Sequence, residues 1–503
     1  MSRFTTNILA NLLGQSWSVI VSIAVIPLYI KFLGIEAYGL LGFYMMLQGA
    51  LQVLDLGLSP TMNRELARYS TMPEKAGEAR DLVRTLEVGY WLLGMVLGAA
   101  VAGAAPFFAH HWLNIGALPP EDVQTALMMM GVLVALQWPQ SFYGSGLMGL
   151  QKQVLVNSVG IPMSTVSSGG AVLILWLVSP TITALLSWQI LVSVIQVVLV
   201  TILLWRSLPS SGRPPRFSKN LIGNIWRFAA GMSGLTLTGL ILTQLDKVIL
   251  SRLLSLEMFG YYSLAGTVGR GLYVVITPIF NSIFPRLSAL VAEGGGSQLK
   301  EVYHYGAQLM AVLVLPLAVL VSLFSYDVIL LWTSNPETAR NAAPIASLLV
   351  IGTALNGLMN LPYALQLAYG WTKLGLYINI FFIVTLVPLS IFMTMNYGAV
   401  GGASVWPMLN CFYMVIGVPL THSRLLKGEG WQWLSLDVCF PLSATIMVLG
   451  PVRLLIDSPM SSRQTFLTLS ISLLSAILVA AITTPNLREL LRVQLERAVS
   501  ASR

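Results

Sequence analysis

Arg270 stands in the run Gly266, Thr267, Val268, Gly269, Arg270, Gly271, inside a stretch otherwise apolar enough to cross a bilayer. A charged side chain held at mid-bilayer costs about 2.5 to 3.5 kcal/mol on insertion scales, so one that is kept points to a task. A guanidinium offers a planar fork of donors that suits phosphate, and the glycines beside it let a ligand or a neighbouring helix come close. Two uses fit these residue types: an anion-binding group, or the cationic half of an ion pair with Asp55 or Asp246. Asp55 precedes Gly57, Pro60 and Arg64 in another apolar stretch, where it could take a proton or a sodium ion or accept from a cytoplasmic arginine. Asp246 is followed by Lys247. Adjacent helical residues point about 100° apart and are not expected to pair face-on, and Lys247 can snorkel outward. Glu87 opens its own span and is expected at the interface.

Two uncharged clusters carry a second kind of chemistry. One reads Gln137, Trp138, Pro139, Gln140, Ser141, Phe142, Tyr143, and the other Asn356, Met359, Asn360, Pro362, Tyr363, Gln366. A proline in mid-span frees a backbone carbonyl, and amides beside aromatic rings resemble surfaces that hold sugars, with rings on pyranose faces and amides meeting hydroxyls. The other reading is polar glue between helices. The matching depth of the two clusters favours the lining of a cavity.

Enzymatic and nucleotide signatures fail on context. There is no G-K-[ST] phosphate loop, which argues against direct ATP drive. Gly144, Gly146 and Gly149 spell G-x-G-x-x-G at the end of a membrane helix with no strand before it, so close helix packing is the expected role. His110 and His111 are adjacent in a loop, and His304 and His422 stand alone, a poor set for a metal that wants three convergent ligands. Cys411 and Cys439 are expected as inert core residues.

These residues need a bilayer-spanning scaffold to hold them. Hydrophobic residues make up 56% of the 503, charged residues 10%, and mean hydropathy is +0.77, whereas a soluble domain carries roughly 25% charged residues. Fourteen stretches approach the roughly 20 apolar residues of a spanning helix, beginning near 7, 38, 83, 123, 154, 182, 225, 259, 305, 342, 374, 399, 437 and 464. The first is too long for a signal core and is expected to be retained. At an offset of 221, Lys31, Glu36, Tyr38 and Gly39 fall on Arg252, Glu257, Phe259 and Gly260, and Phe142, Gly149 and Lys152 fall on Tyr363, Gly370 and Lys373. A single offset across that distance implies a duplicated six-span unit, and an even number of spans makes the copies parallel, as in transporters built from parallel repeats. The expected fold is all-α and polytopic: an N-lobe over 1–206, a cytoplasmic linker over 207–224, a C-lobe over 225–427, two further helices over 428–486 and a cytoplasmic tail over 487–503. With the N-terminus inside, 21 of the 28 Lys and Arg fall on the cytoplasmic side. That asymmetry is the positive-inside signature and accounts for the net charge of +8 without nucleic acid.

The segment PLYIKFLGIEAYGLLGFYMMLQGALQVLDLGLSPTMNRELAR (27–68) resembles the N-terminal signature of bacterial polysaccharide flippases, the O-antigen and exopolysaccharide exporters of the multidrug/oligosaccharidyl-lipid/polysaccharide superfamily. LPYALQLAYGWTKLGLYINI (361–380) resembles their tenth and eleventh spans. The resemblance implies two six-helix lobes in a V plus two C-terminal helices in the bacterial inner membrane. It also implies movement of an undecaprenyl-diphosphate-linked oligosaccharide (a component of lipopolysaccharide and other polysaccharides) from the cytoplasmic to the periplasmic leaflet. The expected mechanism is alternating access. Arg270 and Arg64 attract the diphosphate, while Gln137, Trp138, Gln140, Tyr143, Asn356, Asn360 and Tyr363 line the sugar cavity. No cofactor is expected; proton or sodium coupling would use Asp55 or Asp246, and other polysaccharide-assembly membrane proteins are expected partners. A cation-coupled drug antiporter of the same superfamily would carry a committed carboxylate deep in a lobe, and span one offers only Asn7, Asn11, Gln15 and Ser16. A glycan polymerase or ligase would need a sizeable outer domain, whereas the longest outer segment, around His110 to Glu121, is short.

Overall fold

The computed structural model describes residues 3–55, 57–218, 234–455, 461–489 and 492. Lys219, Arg227, Arg497, Arg503 and the expected start of span seven at 225 lie outside the described residues. Among those described, the chain is helical without strands. The first helices are α1 (Arg3–Leu33), α2 (Ile35–Leu51), α3 (Leu58–Tyr69), α4 (Ala76–Phe107), α5 (Pro120–Gly149), α6 (Gln153–Leu177) and α7 (Ile182–Ser207). They continue as α8 (Gly234–Leu253), α9 (Leu256–Arg270), α10 (Tyr273–Ala292), α11 (Ser297–Leu323), α12 (Ser325–Thr333), α13 (Pro336–Ala368) and α14 (Thr372–Leu425). A one-turn helix, Gly430–Gln432, and a π-helical turn, Trp433–Cys439, lead into α15 (Phe440–Leu455), and α16 (Ser462–Thr483) follows.

Among the described residues, ten helical segments are long and apolar enough to cross a membrane. With α2, α5 and α8, and with the 54-residue α14 split at Gly398, they fall on the fourteen expected spans. Gly398 has φ 60° and ψ −146°, a conformation that a residue with a Cβ rarely adopts. A Cβ on nearby Gly401 would lie 2.0 Å from the Met393 carbonyl oxygen, so the two arms meet backbone to backbone there.

The 221-residue offset is written into the element boundaries. Helix α2 starts at Ile35 and α9 at Leu256; α4 starts at Ala76 and α11 at Ser297. Both copies also break their second span at the same place. In the first, α2 ends at Leu51 and a tight turn, Gln52–Asp55, and Gly57 (φ 78°) follow before α3. In the second, α9 ends at Arg270 and α10 resumes at Tyr273.

The chain divides into two compact units, 1–260 and 261–503. The first runs past the expected lobe boundary because α8 and the start of α9 pack on the first repeat. Its α2 and α9 touch reciprocally. A Cβ on Gly39 would lie 2.2 Å from Leu256 O, and a Cβ on Gly260 would lie 2.3 Å from Ile35 O, each position being the 221-residue image of the other. Asn114 clasps the same region, donating from its side chain to Arg252 O and Leu254 O and accepting Leu256 N–H at its carbonyl. The Glu36 carboxylate accepts from the backbone N–H groups of Gly116, Ala117 and Leu118. Helices α4 and α5 meet through glycines as well: Gly98 and Gly131 each place a missing Cβ 2.5 Å from the other's carbonyl, the small-residue packing of membrane helices. Of the G-x-G-x-x-G glycines, Gly149 abuts Asn63 O and Gly146 abuts Leu204, while Gly144 faces open space. In the second unit a large apolar core joins α10, α11 and α13 with Trp433 and Val438 of the π-helical turn.

Gly39→Ala is expected to lower the thermal midpoint of the detergent-purified protein, since overpacking of this kind costs about 1 to 3 kcal/mol. Gly103→Ala, whose Cβ would meet nothing within 4 Å, serves as the control. Equal midpoints for the two variants would refute the close approach of α2 and α9.

Candidate functional site

Arg270 is the last residue of α9, with Gly271 N–H turning back to Thr267 O and Val268 O. A cation there meets the negative end of the helix dipole. Its Nη2 donates to Thr267 Oγ1 at 3.0 Å, the side chain is exposed, and no carboxylate among the described residues forms an ion pair with it. The missing side chain of Gly266 leaves room beside the guanidinium: a Cβ there would lie 3.5 Å from Nη1. Asp55 and Asp246, the two carboxylates weighed as partners for Arg270, lie in the first unit, and each has contacts of its own there. Asp55 accepts from Ser59 N–H at 3.2 Å, Ser59 Oγ at 2.9 Å and the Tyr90 hydroxyl at 2.6 Å, which caps the start of α3. Asp246 is half-buried, and Lys247 Nζ does reach its Oδ1 at 3.5 Å, because the long lysine stem bends across the angle that separates adjacent positions.

Three residues beyond Arg270, the second unit carries an amide ladder. The Tyr273 hydroxyl donates to Asn356 Oδ1 at 3.0 Å, Asn356 Nδ2 donates to Asn410 Oδ1 at 3.1 Å, and Asn360 Nδ2 donates to Asn356 O at 2.9 Å. Asn356, Asn360 and Tyr363 are half-buried, whereas Gln366 is buried and donates to Tyr413 and Thr421. The break at Arg270 thus lies three residues from Tyr273, whose hydroxyl joins the strip of amides on α13.

The equivalent cluster in the first unit divides. Gln137 and Gln140 are half-buried, and Gln48 Nε2 donates to Gln137 Oε1. Trp138 and Tyr143 belong to the packed core with Tyr90 and Phe142, which corrects their expected place on a cavity wall. Only 1% of Tyr143 is exposed, and its hydroxyl donates to Glu87 Oε1 at 2.6 Å while accepting Trp91 Nε1–H at 3.0 Å. Glu87 is correspondingly buried, and it also accepts from Trp205 Nε1 and Arg84 Nη1. The carbonyl that Pro139 frees, Ala135 O, lies against Gly94 of α4, 3.0 Å from where a Cβ would be, and Trp138 Cβ lies 3.2 Å from the same position. Arg64 lies on the exposed face of α3 and donates to its neighbour Glu65 at 2.6 Å.

A polar seam between α1 and α6 went unread in the sequence. Asn157 Nδ2 donates to Asn11 Oδ1 at 2.7 Å, Ser18 Oγ to Ser164 Oγ at 3.4 Å, and Trp17 Nε1 to Thr165 Oγ1 at 2.8 Å, with Gln15, Ser16, Trp17 and Thr165 exposed. The partners lie about 146 residues apart, so only the cluster of small polar residues in each span could have hinted at it. Polar side chains on the exposed surface of a spanning helix face a wet cleft more readily than acyl chains. No group of His, Cys, Asp or Glu among the described residues has the geometry of a metal site. Cys411 and Cys439 are free thiols and exposed rather than core.

The family described as polysaccharide biosynthesis protein matches residues 4–291, and the MatE family matches residues 236–392. A Shigella flexneri protein named "Putative O-antigen transporter" is 22% identical over 397 residues, covering 79% of this chain and 92% of its own length. Among solved structures, lipid II flippase MurJ in an inward closed conformation superposes with a TM-score of 0.69 at 13% identity, over 96% of this chain and 100% of its own. An inward-facing multidrug resistance transporter of the MATE family superposes with 0.68 at 15% identity, over 81% of this chain and 94% of its own. These likenesses agree with the all-α, multi-pass architecture built above. With more than half of its length matched, the chain belongs to the polysaccharide biosynthesis protein family of membrane proteins.

Proposed function

We propose that the chain is a non-enzymatic flippase that carries an undecaprenyl-diphosphate-linked oligosaccharide from the cytoplasmic to the periplasmic leaflet of the bacterial inner membrane, with both termini cytoplasmic. The observation that carries this reading is Arg270, an exposed guanidinium at a helix break in mid-span with no carboxylate paired to it among the described residues. Unaided flipping would drag sugar hydroxyls and two phosphate charges through hydrocarbon, so a hydrated path with a cation at mid-depth meets the physical need. In this reading Arg270 attracts the diphosphate, and Arg64 draws it in from the cytoplasmic side. Asn356, Asn360 and Tyr363, with Gln137, Gln140 and the seam of α1 and α6, replace water around the sugars. The prenyl tail stays in lipid, and rocking of two lobes, 1–206 and 225–427, alternates access. Family membership and the names of the relatives support the same substrate class.

The MatE match across 236–392 favours a second reading, a cation-coupled small-molecule antiporter. The chain carries no carboxylate in α1 to serve it. Coupling to protons or sodium would rest on Asp246, since Asp55 is engaged as the cap of α3.

Arg270→Ala is expected to abolish export of the lipid-linked glycan in a deletion strain while protein levels stay normal, and Arg270→Lys to restore part of it. Full export by the alanine variant would remove Arg270 from the mechanism. Tyr143→Phe and Gln140→Ala separate packing from lining. The first is expected to lower stability by about 1 to 3 kcal/mol by leaving Glu87 short of a donor. The second is expected to slow export at unchanged melting temperature. Reversal of that pattern would return Tyr143 to the cavity wall.

A further inference from the structure

His304 and His422, isolated in the sequence, fall within one buried network in the second unit. The His304 ring lies between two carboxylates: Nδ1 is 2.5 Å from Asp437 Oδ2, and Nε2 is 3.3 Å from Glu429 Oε2. A carboxylate accepts, so an imidazole facing one from each ring nitrogen carries two N–H groups and a positive charge. Asp437 is fully buried, and its other oxygen accepts from Gln308 Nε2 at 2.8 Å. Gln308 Oε1 in turn accepts the backbone N–H of Asn486 at 3.0 Å. Glu429 pairs with Lys300 at 2.5 Å, and the ammonium beside it holds this carboxyl below the usual carboxylate range. Tyr303 and His422 complete the surroundings, with the Tyr303 hydroxyl 2.7 Å from His422 Nε2. The charges facing His304 from every packed element are therefore Lys300, Glu429 and Asp437, with Tyr303 and His422 as the further titratable neighbours. The ring's two nitrogens point in opposite directions at different carboxylates, so the three groups cannot converge on one metal ion.

The network joins elements of different origin. His304, Lys300 and Gln308 lie on α11, inside the second repeat. Asp437 lies in the π-helical turn that opens α15, and Asn486 follows α16. A π-helical turn in an otherwise α-helical segment marks a place where a side chain is re-aimed at some cost in backbone bonding, and here it aims Asp437 inward. Apolar contacts hold the rest of this helix pair to α11 and α12 through Leu320, Phe324, Leu449, Leu469 and Ala476, and through Val312, Ala480 and Leu487.

We propose that His304, gripped by Asp437 and Glu429, is a proton-binding site whose occupancy latches the α15–α16 pair to the second repeat. With the proton bound, two cations and two carboxylates balance. Its loss, from Nε2 by way of Glu429 to water, leaves a net negative charge against fully buried Asp437. An uncompensated buried charge of that kind is strongly destabilising. The stabilisation is complete below the ordinary imidazole value of about 6.5, declines as pH rises from there to the release point of the latched ring, and is gone above it.

Hydrogen exchange of the purified full-length protein in nanodiscs tests this, read at residues 430–439 and 485–489 and corrected for the intrinsic rate between pH 6 and 10. One proton linked to opening is expected to raise corrected exchange about tenfold per pH unit from about pH 6.5, the ordinary imidazole value, up to the release point, and to leave it level above that point. His304→Gln is expected to flatten the profile, and Glu429→Gln, which removes one of the two carboxylates, to end the rise at a lower pH. A pH-independent profile in the unsubstituted protein overturns the latch by itself, whether or not either variant folds. A slope retained in His304→Gln overturns the assignment to His304.

Discussion

In hydrocarbon no water completes a hydrogen bond, so every polar group of a spanning helix must find its partner inside the protein. Only 10% of this chain is charged, and that constraint decides where most of those few charges go. Glu87 gathers Tyr143, Trp205 and Arg84; Asp55 gathers Ser59 and Tyr90; Glu36 gathers three backbone N–H groups. Each carboxylate fixes two or more segments at once, so satisfying polar groups and locking helices in register are one event here. Arg270 departs from the pattern. Among the described residues its guanidinium makes a single side-chain bond, at the end of a helix.

The duplication makes that departure legible. The image of Arg270 in the first repeat is Gly49, whose empty side-chain position is filled by Gln244. Both repeats break their second span at this level, but only one places a cation there.

The number and placement of spans and the repeat were open to the sequence because each rests on local composition or on self-comparison, and Arg270 stands out there as a lone charge in apolar sequence. The amides of α13 were legible for the same reason. Partners far apart in the chain were not. The partners of Glu87 were hidden because Tyr143 and Trp205 are 56 and 118 residues away, and the histidines looked solitary because Asp437 lies 133 residues beyond His304. The glutamine cluster misled in a particular way: aromatic rings beside amides suit sugars and cores equally, and here Trp138 and Tyr143 pack with Tyr90 and Phe142. Asp246 and Lys247 were set apart by helical geometry that a flexible lysine stem evades.

The contact of Ile35 and Gly39 with Leu256 and Gly260 has a consequence for how such a chain could arise. Because each half of the contact mirrors the other, a shorter forebear encoding one repeat could have formed it between two identical subunits, as an isologous dimer around a two-fold axis. Fusion into a single polypeptide would then preserve an old handshake while releasing each partner to drift, and the glycines are where neither has been able to let go.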